Sequence, residues 1–401
     1  MNRLISWVIV LGCMTLQNGL AATQYNVLHA FAGGGNDGGG PFAALIFDQQ
    51  GNLYSTTSGG GAYGLGTVFE LSPSAGSRWI MTILHSFCPK SGCSDGSLPM
   101  MSLAMDPLGN LYGSSREAIF EISPHGDVWG FRILYNGGSA SSLLLDKAGN
   151  LYGAFGRGTG HGGAISELIR GSNWRLKILY NFCPTIPCVD GESPNAVIWD
   201  SAGDLYGTTE LGGKGTTGDF GTAFELRHAN GEWKHRVLHS FPAFQGDGEV
   251  LFAGLISDDA GNLYGTTNSG GKYTCSNAGC GTVFRLSQDS QGRWKEMILY
   301  YFKPGKNGNG PGAGLAFDSA GNLYGTTATG GAGSCGVGCG VVFKLTPKGD
   351  GKWVYGVLHR FNGQDGANPA AAVILDREGN LYGTATQGGP NGFGVVFEIT
   401  Q

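Results

Sequence analysis

Five Asp-Gly pairs recur along the chain and supply carboxylates that could do chemistry. They begin at Asp37, Asp95, Asp190, Asp247 and Asp365, each in a loop of variable length. Carboxylates gathered around a channel could hold a cation or bind the hydroxyl groups of a sugar. The alternative is that Asp-Gly only forms a turn, because Asp bonds nearby backbone N–H groups and Gly accepts a positive φ. Both interpretations stay open from the sequence.

A second set of polar side chains breaks the internal repetition described below. The candidates for ligand binding are Arg116, Glu117, Arg157, His161 and Glu210, and the isolated Glu192, Asp219 and Glu249 belong with them. Four of the candidates lie in the second and third repeat copies, where the loops are shortened or altered, so a pocket could open there. No nucleophile, base and orienting group stand at a recognisable spacing, so no catalytic residue is assigned.

The cysteines fall in close pairs. The chain has nine cysteines, and the eight other than Cys13 form the pairs Cys88/Cys93, Cys183/Cys188, Cys275/Cys280 and Cys335/Cys339. An even number of locally paired cysteines in an exported protein favours disulfides. Zinc sites usually combine two such pairs or add His at fixed spacing, and no His adjoins these pairs. We therefore expect four disulfides and no metal.

The N-terminus has the features of an export signal. Arg3 precedes a mostly apolar stretch at 4–16, and small residues at 19–21 suit cleavage after Ala21 or Ala22, giving a signal peptide at 1–22. The apolar stretch is too short for a stable membrane span. Cleavage before Cys13, as in a lipoprotein, is the alternative. The sequence thus predicts a secreted or periplasmic protein without a transmembrane segment.

Composition narrows the class of protein. Gly accounts for 74 of 401 residues, yet 41% of the chain is hydrophobic and 11% aromatic, which is enough for a real core. The glycines must therefore serve turns. The net charge is −5 and no basic run occurs, so nucleic acid is not an expected partner.

One seven-residue motif, GNLYGTT or a near copy, is written seven times. The copies stand at 51–57, 109–115, 149–155, 203–209, 261–267, 321–327 and 379–385. Their spacing of 40 to 60 residues is typical of propeller blades. Each unit holds four short β-prone runs, and the D-x-x-G-N segment between the first two predicts a tight hairpin turn.

Four strands repeated seven times predict an all-β, seven-bladed β-propeller over residues 23–401, because each blade needs neighbours on both faces. The mature chain begins with a lone outer strand at 25–31 and ends after 395–399. We expect the first strand to complete the last blade and so close the ring.

The outer strands carry a ring at one repeated position. His29, His85, His239 and His359 stand where Tyr135, Tyr180 and Tyr300 stand in other copies. Because His and Tyr replace each other freely, a structural role is expected rather than metal binding or catalysis. The Trp residues that start these strands are expected to pack between blades.

The unit resembles two known kinds of repeat. Its apolar-D-x-x-G-N-L-Y segment resembles propellers of the NHL type, which implies that this segment spans the two inner strands. The full unit, best seen at 261–286 and 321–345, resembles the tandem-repeat proteins called GloVer-containing. That resemblance implies exported bacterial proteins without an established reaction, often held at the surface by C-terminal anchors. Since this chain ends directly after its last strand, such an anchor is not expected.

The NHL register sorts the loops into two faces. The D-x-x-G-N turns and the turns after V-F-E-L form a uniform face. The loops that enter each blade and those after L-Y-G-T-T form a variable face, which holds every cysteine pair and is the expected recognition surface. We expect a non-catalytic, monomeric binder of a polysaccharide or surface partner, with no cofactor; a channel Ca²⁺ has no support. A propeller lyase or hydrolase with a site at the channel mouth and a structural envelope protein remain the alternatives.

Overall fold

The computed structural model consists of β-strands joined by turns and loops. It describes residues 23–76, 78–89, 92–126, 128–155, 162–214, 219–242, 246–275 and 278–401. The predicted signal peptide, 1–22, lies outside these residues. Within the described ranges there is no helix, and therefore none that is long and apolar enough to cross a membrane.

Seven antiparallel sheets of four strands form the blades, numbered here from the first repeat copy. The innermost strands, from blade 1 to blade 7, are Ile46–Phe47, Ala104–Met105, Ala140–Leu145, Glu192–Trp199, Ile256–Ser257, Ala316–Phe317 and Ile374–Leu375. The second strands are Leu53–Thr57, Leu111–Ser114, Leu151–Phe155, Leu205–Leu211, Leu263–Thr267, Leu323–Thr327 and Leu381–Ala385.

The third and outer strands complete each sheet. The third strands are Thr67–Ser74, Ala118–His125, Ala164–Ile169, Asp219–Ala229, Thr282–Gln288, Val341–Pro347 and Val395–Thr400. The outer strands are Arg78–Ser86, Val128–Asn136, Arg175–Asn181, Glu232–Pro242, Trp294–Tyr301, Trp353–Arg360 and, for blade 7, Gln24–Ala30. Three small ladders lie in the loops: Gly38–Gly39 with Gly59–Gly60, Gly248–Glu249 with Ser269–Gly270, and Thr274–Cys275 with Ala278–Gly279.

Blade 7 joins the two ends of the chain. Gln24–Ala30 pairs antiparallel with Val395–Thr400, and Tyr25 lies opposite Ile399. The side chain of Tyr25 packs in the same core cluster as Phe397 and Ile399. This pairing removes two open sheet edges at once. The seven-bladed propeller and its closure by the N-terminal strand are therefore confirmed.

The repeated motif forms a hydrogen-bonded turn on the uniform face. In blade 5, Oδ1 of Asp258 accepts from the N–H groups of Ala260 and Asn262, at 3.0 and 2.8 Å. Its Oδ2 accepts from the Asn262 amide at 2.8 Å and the Tyr264 hydroxyl at 3.0 Å. Gly261 takes the positive φ of +77° that the turn requires. The carboxylate is thus occupied by protein donors, which fits a turn rather than a calcium loop.

The hydrophobic core lies between the blades. Seven clusters each combine buried residues from two neighbouring sheets. Tyr54 of blade 1 packs in one cluster with Leu111 and Phe120 of blade 2. Leu53 and Phe69 of blade 1 pack in another cluster with Tyr382 of blade 7. The outer-strand Trp residues join these seams as predicted: Trp353 of blade 6 lies 6.3 Å from the Tyr264 ring of blade 5. Because every seam buries its own cluster, each blade depends on both neighbours.

Candidate functional site

A cavity opens at the centre of the ring on the variable face. It holds about 590 Å³ and takes lining residues from all seven blades, at the segments that lead into the innermost strands. The lining combines small apolar residues with larger apolar side chains, serine hydroxyls and asparagine amides, and includes no charged side chain among the described residues. The described residues of the cavity wall thus offer serine hydroxyls but no charged or imidazole side chain that could act as an acid or a base.

Three large apolar side chains stand exposed at this channel mouth. Phe42, Met100 and Phe252 are 39%, 38% and 47% exposed. They occupy one repeat position, six residues before the Asp of the D-x-x-G-N turn, where the other copies have Ala, Pro or Gly. Exposed large apolar side chains grouped at a concave opening are typical of binding sites.

A second, more polar cavity adjoins the mouth between blades 5 and 6. It holds about 450 Å³ and shares Asn268 and Ala328 with the central cavity, while Asn309 and Thr329 line its other side. A Cβ built on Gly312 would lie 3.4 Å from the Asn268 amide nitrogen and 3.6 Å from the Phe252 ring. The amide and the ring therefore border the same small space.

The five Asp-Gly carboxylates do not line the central cavity. Four bind the outer-strand ring of the blade that precedes their loop: Asp37 and Asp95 lie 3.0 and 2.8 Å from His29 and His85, and Asp190 and Asp365 bind Tyr180 and His359 at 2.7 and 3.1 Å. Asp247 is the exception, since its Oδ2 lies 3.6 Å from Nε2 of His239.

The same four carboxylates also hold backbone groups of their loops. Oδ2 of Asp37 accepts from the N–H of Ala32 at 2.9 Å, and Oδ1 of Asp365 accepts from the N–H of Asn362 at 2.8 Å. Burial alone would raise the pKa of Asp37, but the bonds from His29 and from backbone N–H groups outweigh it and lower the pKa. These contacts hold the entry loops. A ring of carboxylates around the channel does not form, and ligand binding by these residues stays a prediction.

The outer-strand rings form stacks across the blade seams. On each outer strand, the residue four positions before that strand's own ring can stack on the ring of the preceding blade. Tyr25 stacks on His359 at 3.7 Å, Phe131 on His85 at 4.0 Å, and His235 on Tyr180 at 4.3 Å between ring centroids. Burial lowers the pKa of His235 to about 4, so this imidazole is neutral at ordinary pH. The structural role predicted for the rings is consistent with these contacts.

The remaining predicted residues are dispersed. Arg116 lines a cavity of about 250 Å³ at blade 2 with Met100 and Ser139, while the carboxylate of Glu117 accepts from Ser97 at 3.1 Å. Glu210 lies half-buried near the end of the second strand of blade 4. Arg157 and His161 lie outside the described residues. Of the described residues in this set, Arg116 and Glu117 are chain neighbours at blade 2, whereas Glu210 lies in blade 4.

All four cysteine pairs lie among the described residues. Disulfides join Cys88 to Cys93, Cys183 to Cys188, Cys275 to Cys280 and Cys335 to Cys339. The predicted disulfides are confirmed, and they indicate an exported protein. Cys183 and Cys188 also lie near Glu192, but sulfurs bonded to each other are not thiolate ligands.

The residues at the channel mouth were not singled out from the sequence. Phe252 and Asn268 lie in variable segments of the fifth repeat and carry no charge, so they lack the charged character of the predicted residues. The signal was nevertheless available, because only Phe42, Met100 and Phe252 place a large apolar side chain at their repeat position. Comparing copies position by position finds apolar as well as charged departures from the repeat.

The closed ring of four-stranded sheets and the seven matching motifs define a β-propeller built from tandem repeats. A family model described as the Gloeobacter/Verrucomicrobia repeat matches residues 118–278 and 272–401. The chain therefore belongs to the Gloeobacter/Verrucomicrobia repeat family. No curated protein matches it.

Solved structures share the fold at low sequence identity. The extracellular domain of a putative hybrid two-component system from B. thetaiotaomicron is 10% identical, with a TM-score of 0.59 over 94% of this chain and 39% of that one. PorZ, a surface component of the type-IX secretion system of Porphyromonas gingivalis, is 14% identical, with a TM-score of 0.52 over 91% of this chain and 47% of that one.

A third similar structure covers more of the matched protein. A putative 6-phosphogluconolactonase from Bacteroides fragilis is 12% identical, with a TM-score of 0.51 over 82% of this chain and 86% of that one. This chain thus spans less than half of the extracellular domain and of PorZ. At such identities the likeness shows the propeller fold alone.

Proposed function

We propose that the protein is an exported, non-catalytic propeller that binds a neutral polysaccharide at its channel mouth. The observation that carries this is the pairing of the exposed Phe252 ring with the Asn268 amide at the rim of an uncharged cavity. An aromatic ring can pack against the C–H face of a sugar while an amide bonds its hydroxyls.

The adjoining cavity extends this surface. Asn268, Ser269, Asn309 and Thr329 contribute amide and hydroxyl groups to it, so a chain of sugars could run from the mouth across the seam of blades 5 and 6. Because the central cavity has no charged side chain among the described residues, a neutral polymer suits it better than an acidic one.

Two further observations support an exported surface role. The four disulfides need an oxidising compartment. Two of the similar structures are described as an extracellular domain and a bacterial surface component. A surface protein bound at the same face is the other ligand class.

The test is affinity electrophoresis of the folded chain in gels that contain neutral polysaccharides of different linkage. We expect at least one to retard the wild-type protein, and the Phe252→Ala and Asn268→Ala variants to lose most of the retardation. Arg377→Ala, an exposed residue on the uniform face, is the matched control and keeps it. No sugar fragments are expected on prolonged incubation.

Absence of retardation by every neutral polysaccharide would overturn the proposal. Retardation that survives the double substitution at Phe252 and Asn268 would show that the polysaccharide does not bind at the channel mouth. Release of soluble fragments would replace the binding function with the enzyme alternative.

A further inference from the structure

The seam between blades 4 and 5 departs from the other seams at the stacking position. The residue that lies four positions before the outer-strand ring is apolar or aromatic in six copies: Tyr25, Met81, Phe131, Leu176, His235 and Tyr355. In blade 5 it is Glu296, which faces His239 of blade 4. A carboxylate therefore takes the place that a packed ring or aliphatic side chain fills elsewhere.

The entry loop changes at the same seam. In the other loops that carry Asp-Gly, the carboxylate accepts from the backbone N–H three residues after the ring, as Asp37 does from Ala32 and Asp365 from Asn362. After His239 this residue is Pro242, which has no N–H to donate. Among the described residues, Oδ1 of Asp247 accepts from the N–H of Gly248 at 2.7 Å, and its Oδ2 faces His239.

The three side chains converge on one point. Nε2 of His239 lies 3.6 Å from Oδ2 of Asp247 and 3.6 Å from Oε2 of Glu296. One ligand atom from each lies within 4.8 Å of the others. The side chains are 23%, 16% and 12% exposed. Ligand atoms bound to zinc at about 2.1 Å in a tetrahedron lie about 3.4 Å apart, which is close to these separations.

One of the converging atoms lacks a partner, and so does the second carboxylate oxygen of Glu296. Nε2 of His239 and Oε1 of Glu296 are buried and make no hydrogen bond with any of the described residues. A buried polar atom without a partner costs free energy, and a buried carboxylate beside another costs more. The burial and the neighbouring Asp247 raise the pKa of Glu296 to about 9. The described protein groups thus leave polar atoms of this seam unsatisfied.

We propose that His239, Asp247 and Glu296 bind one divalent transition-metal ion of the Zn²⁺ type, which links the outer strands of blades 4 and 5. One imidazole nitrogen and two carboxylate oxygens form a ligand set that suits zinc, whereas Ca²⁺ takes six to eight oxygens. The ion supplies the positive charge that the two acids lack and gives His239 Nε2 its partner. It replaces ring stacking as the contact across this seam, and it is independent of the channel-mouth proposal.

The experiment titrates Zn²⁺ into the full, disulfide-intact chain after EDTA treatment and dialysis, using calorimetry with metal content measured by mass spectrometry. We expect one Zn²⁺ per chain and a melting temperature that rises on loading. Glu296→Tyr restores the pattern of the neighbouring blade, where Tyr355 stacks on Tyr300 at 4.1 Å, so this variant should fold. It is expected to bind Zn²⁺ at least about 100-fold more weakly.

Asp247→Asn is the second test and Asp365→Asn the matched control. The first removes a proposed ligand and is expected to weaken Zn²⁺ binding, while the second changes the equivalent residue at another seam and should leave it unchanged. The proposal is overturned if the wild-type chain binds none of Zn²⁺, Mn²⁺ and Ni²⁺, which would leave a proton shared between Asp247 and Glu296. Undiminished Zn²⁺ affinity in the folded Glu296→Tyr variant would also overturn it.

Discussion

The seam between blades 6 and 7 and the seam between blades 4 and 5 use the same repeat positions for different chemistry. At the first, Tyr25 stacks on His359 at 3.7 Å, and Asp365 binds His359 at 3.1 Å. At the second, Glu296 replaces the stacking ring, and Asp247 lies 3.6 Å from His239 without bonding it. One seam is finished by packing and hydrogen bonds, whereas the other leaves polar atoms unsatisfied.

This difference shows what a repeat fold allows. Each seam buries its own hydrophobic cluster, so a single seam can lose its stacked ring while the inner strands still pack. The cluster at blades 4 and 5 retains Tyr206, Phe241 and Phe284 beneath the polar group. A polar site can therefore replace packing at the rim of one blade without dismantling the ring.

The largest expected effect comes from removing the stacked ring of the closing seam. Tyr25→Ala should lower the free energy of unfolding by about 3 kcal/mol, the lower end of the cost of truncating a large aromatic side chain, because Tyr25 is partly buried. It also removes the hydroxyl bond to the Asp365 carbonyl at 2.6 Å. Urea unfolding followed by tryptophan fluorescence measures the change. Tyr63→Ala, at a 51% exposed ring, serves as the control, and equal effects of the two would refute a special role for the closing seam.

The second expected effect is a pH dependence confined to the seam of blades 4 and 5. Burial and the neighbouring Asp247 raise the pKa of Glu296 from 4.5 to about 9, so its contribution to stability is full below pH 4.5 and is lost as the pH rises towards 9. The metal-free wild-type protein should therefore lose at least about 2 kcal/mol more than Glu296→Tyr between pH 5 and 9.

Thermal unfolding of both proteins across this range measures that difference. The neighbouring titratable groups are Asp247, His239 and Tyr301, and all three are kept in the variant. Parallel curves for the two proteins would show that Glu296 is not the group responsible.

A smaller effect is expected from the disulfide that packs beside the closing seam. Cys339 is buried in the same core cluster as Phe361 and Phe397. Replacing Cys335 and Cys339 together with Ala should cost about 2 kcal/mol, because the loop that the bond closes is short. The Cys275 and Cys280 pair, replaced in the same way, is the comparison, and urea midpoints report both. No change in either would show that these loops are held by their backbone bonds alone.

The smallest expected effect separates the two carboxylates. Asp365→Asn should lower stability by about 1 kcal/mol, because the carboxylate accepts from His359 and from Asn362. Asp247→Asn in metal-free protein should be neutral or stabilising, since it removes a charge beside Glu296. Melting temperatures of the two variants test this, and destabilisation of the same size in both would mean that the seams are not chemically different.

The architecture could be predicted because the same four-strand repeat unit occurs seven times in the sequence. Local turn chemistry fixed the hairpins, as in Asp258 to Tyr264, and the lone strand at the start matched the missing strand at the end. The disulfides followed from pairs only four or five residues apart. These are short-range signals, which a sequence carries directly.

The sites could not be predicted in the same way because they form between blades. Asp247 and Glu296 are separated by most of one repeat, and only the ring geometry brings both to His239 of the preceding blade. The direction of the Asp-Gly carboxylates could not be predicted either. The same loop sequence allows the Asp side chain to point towards an outer-strand ring or towards the channel. The difference between Glu296 and Tyr355 was nonetheless visible when repeat copies were aligned.

The pairing of the first strand with the last also determines the order in which the propeller folds. Gln24–Ala30 is synthesised before the other strands of this ring, yet a bond such as that from Thr400 to Gln24 spans 376 residues. Pairings this distant form late, because the intervening chain must first be gathered. Each new molecule therefore exposes the unpaired edge of Gln24–Ala30 until Val395–Thr400 has been synthesised and folded. During that interval, two incomplete propellers could pair through their exposed edges, and the cell must prevent this.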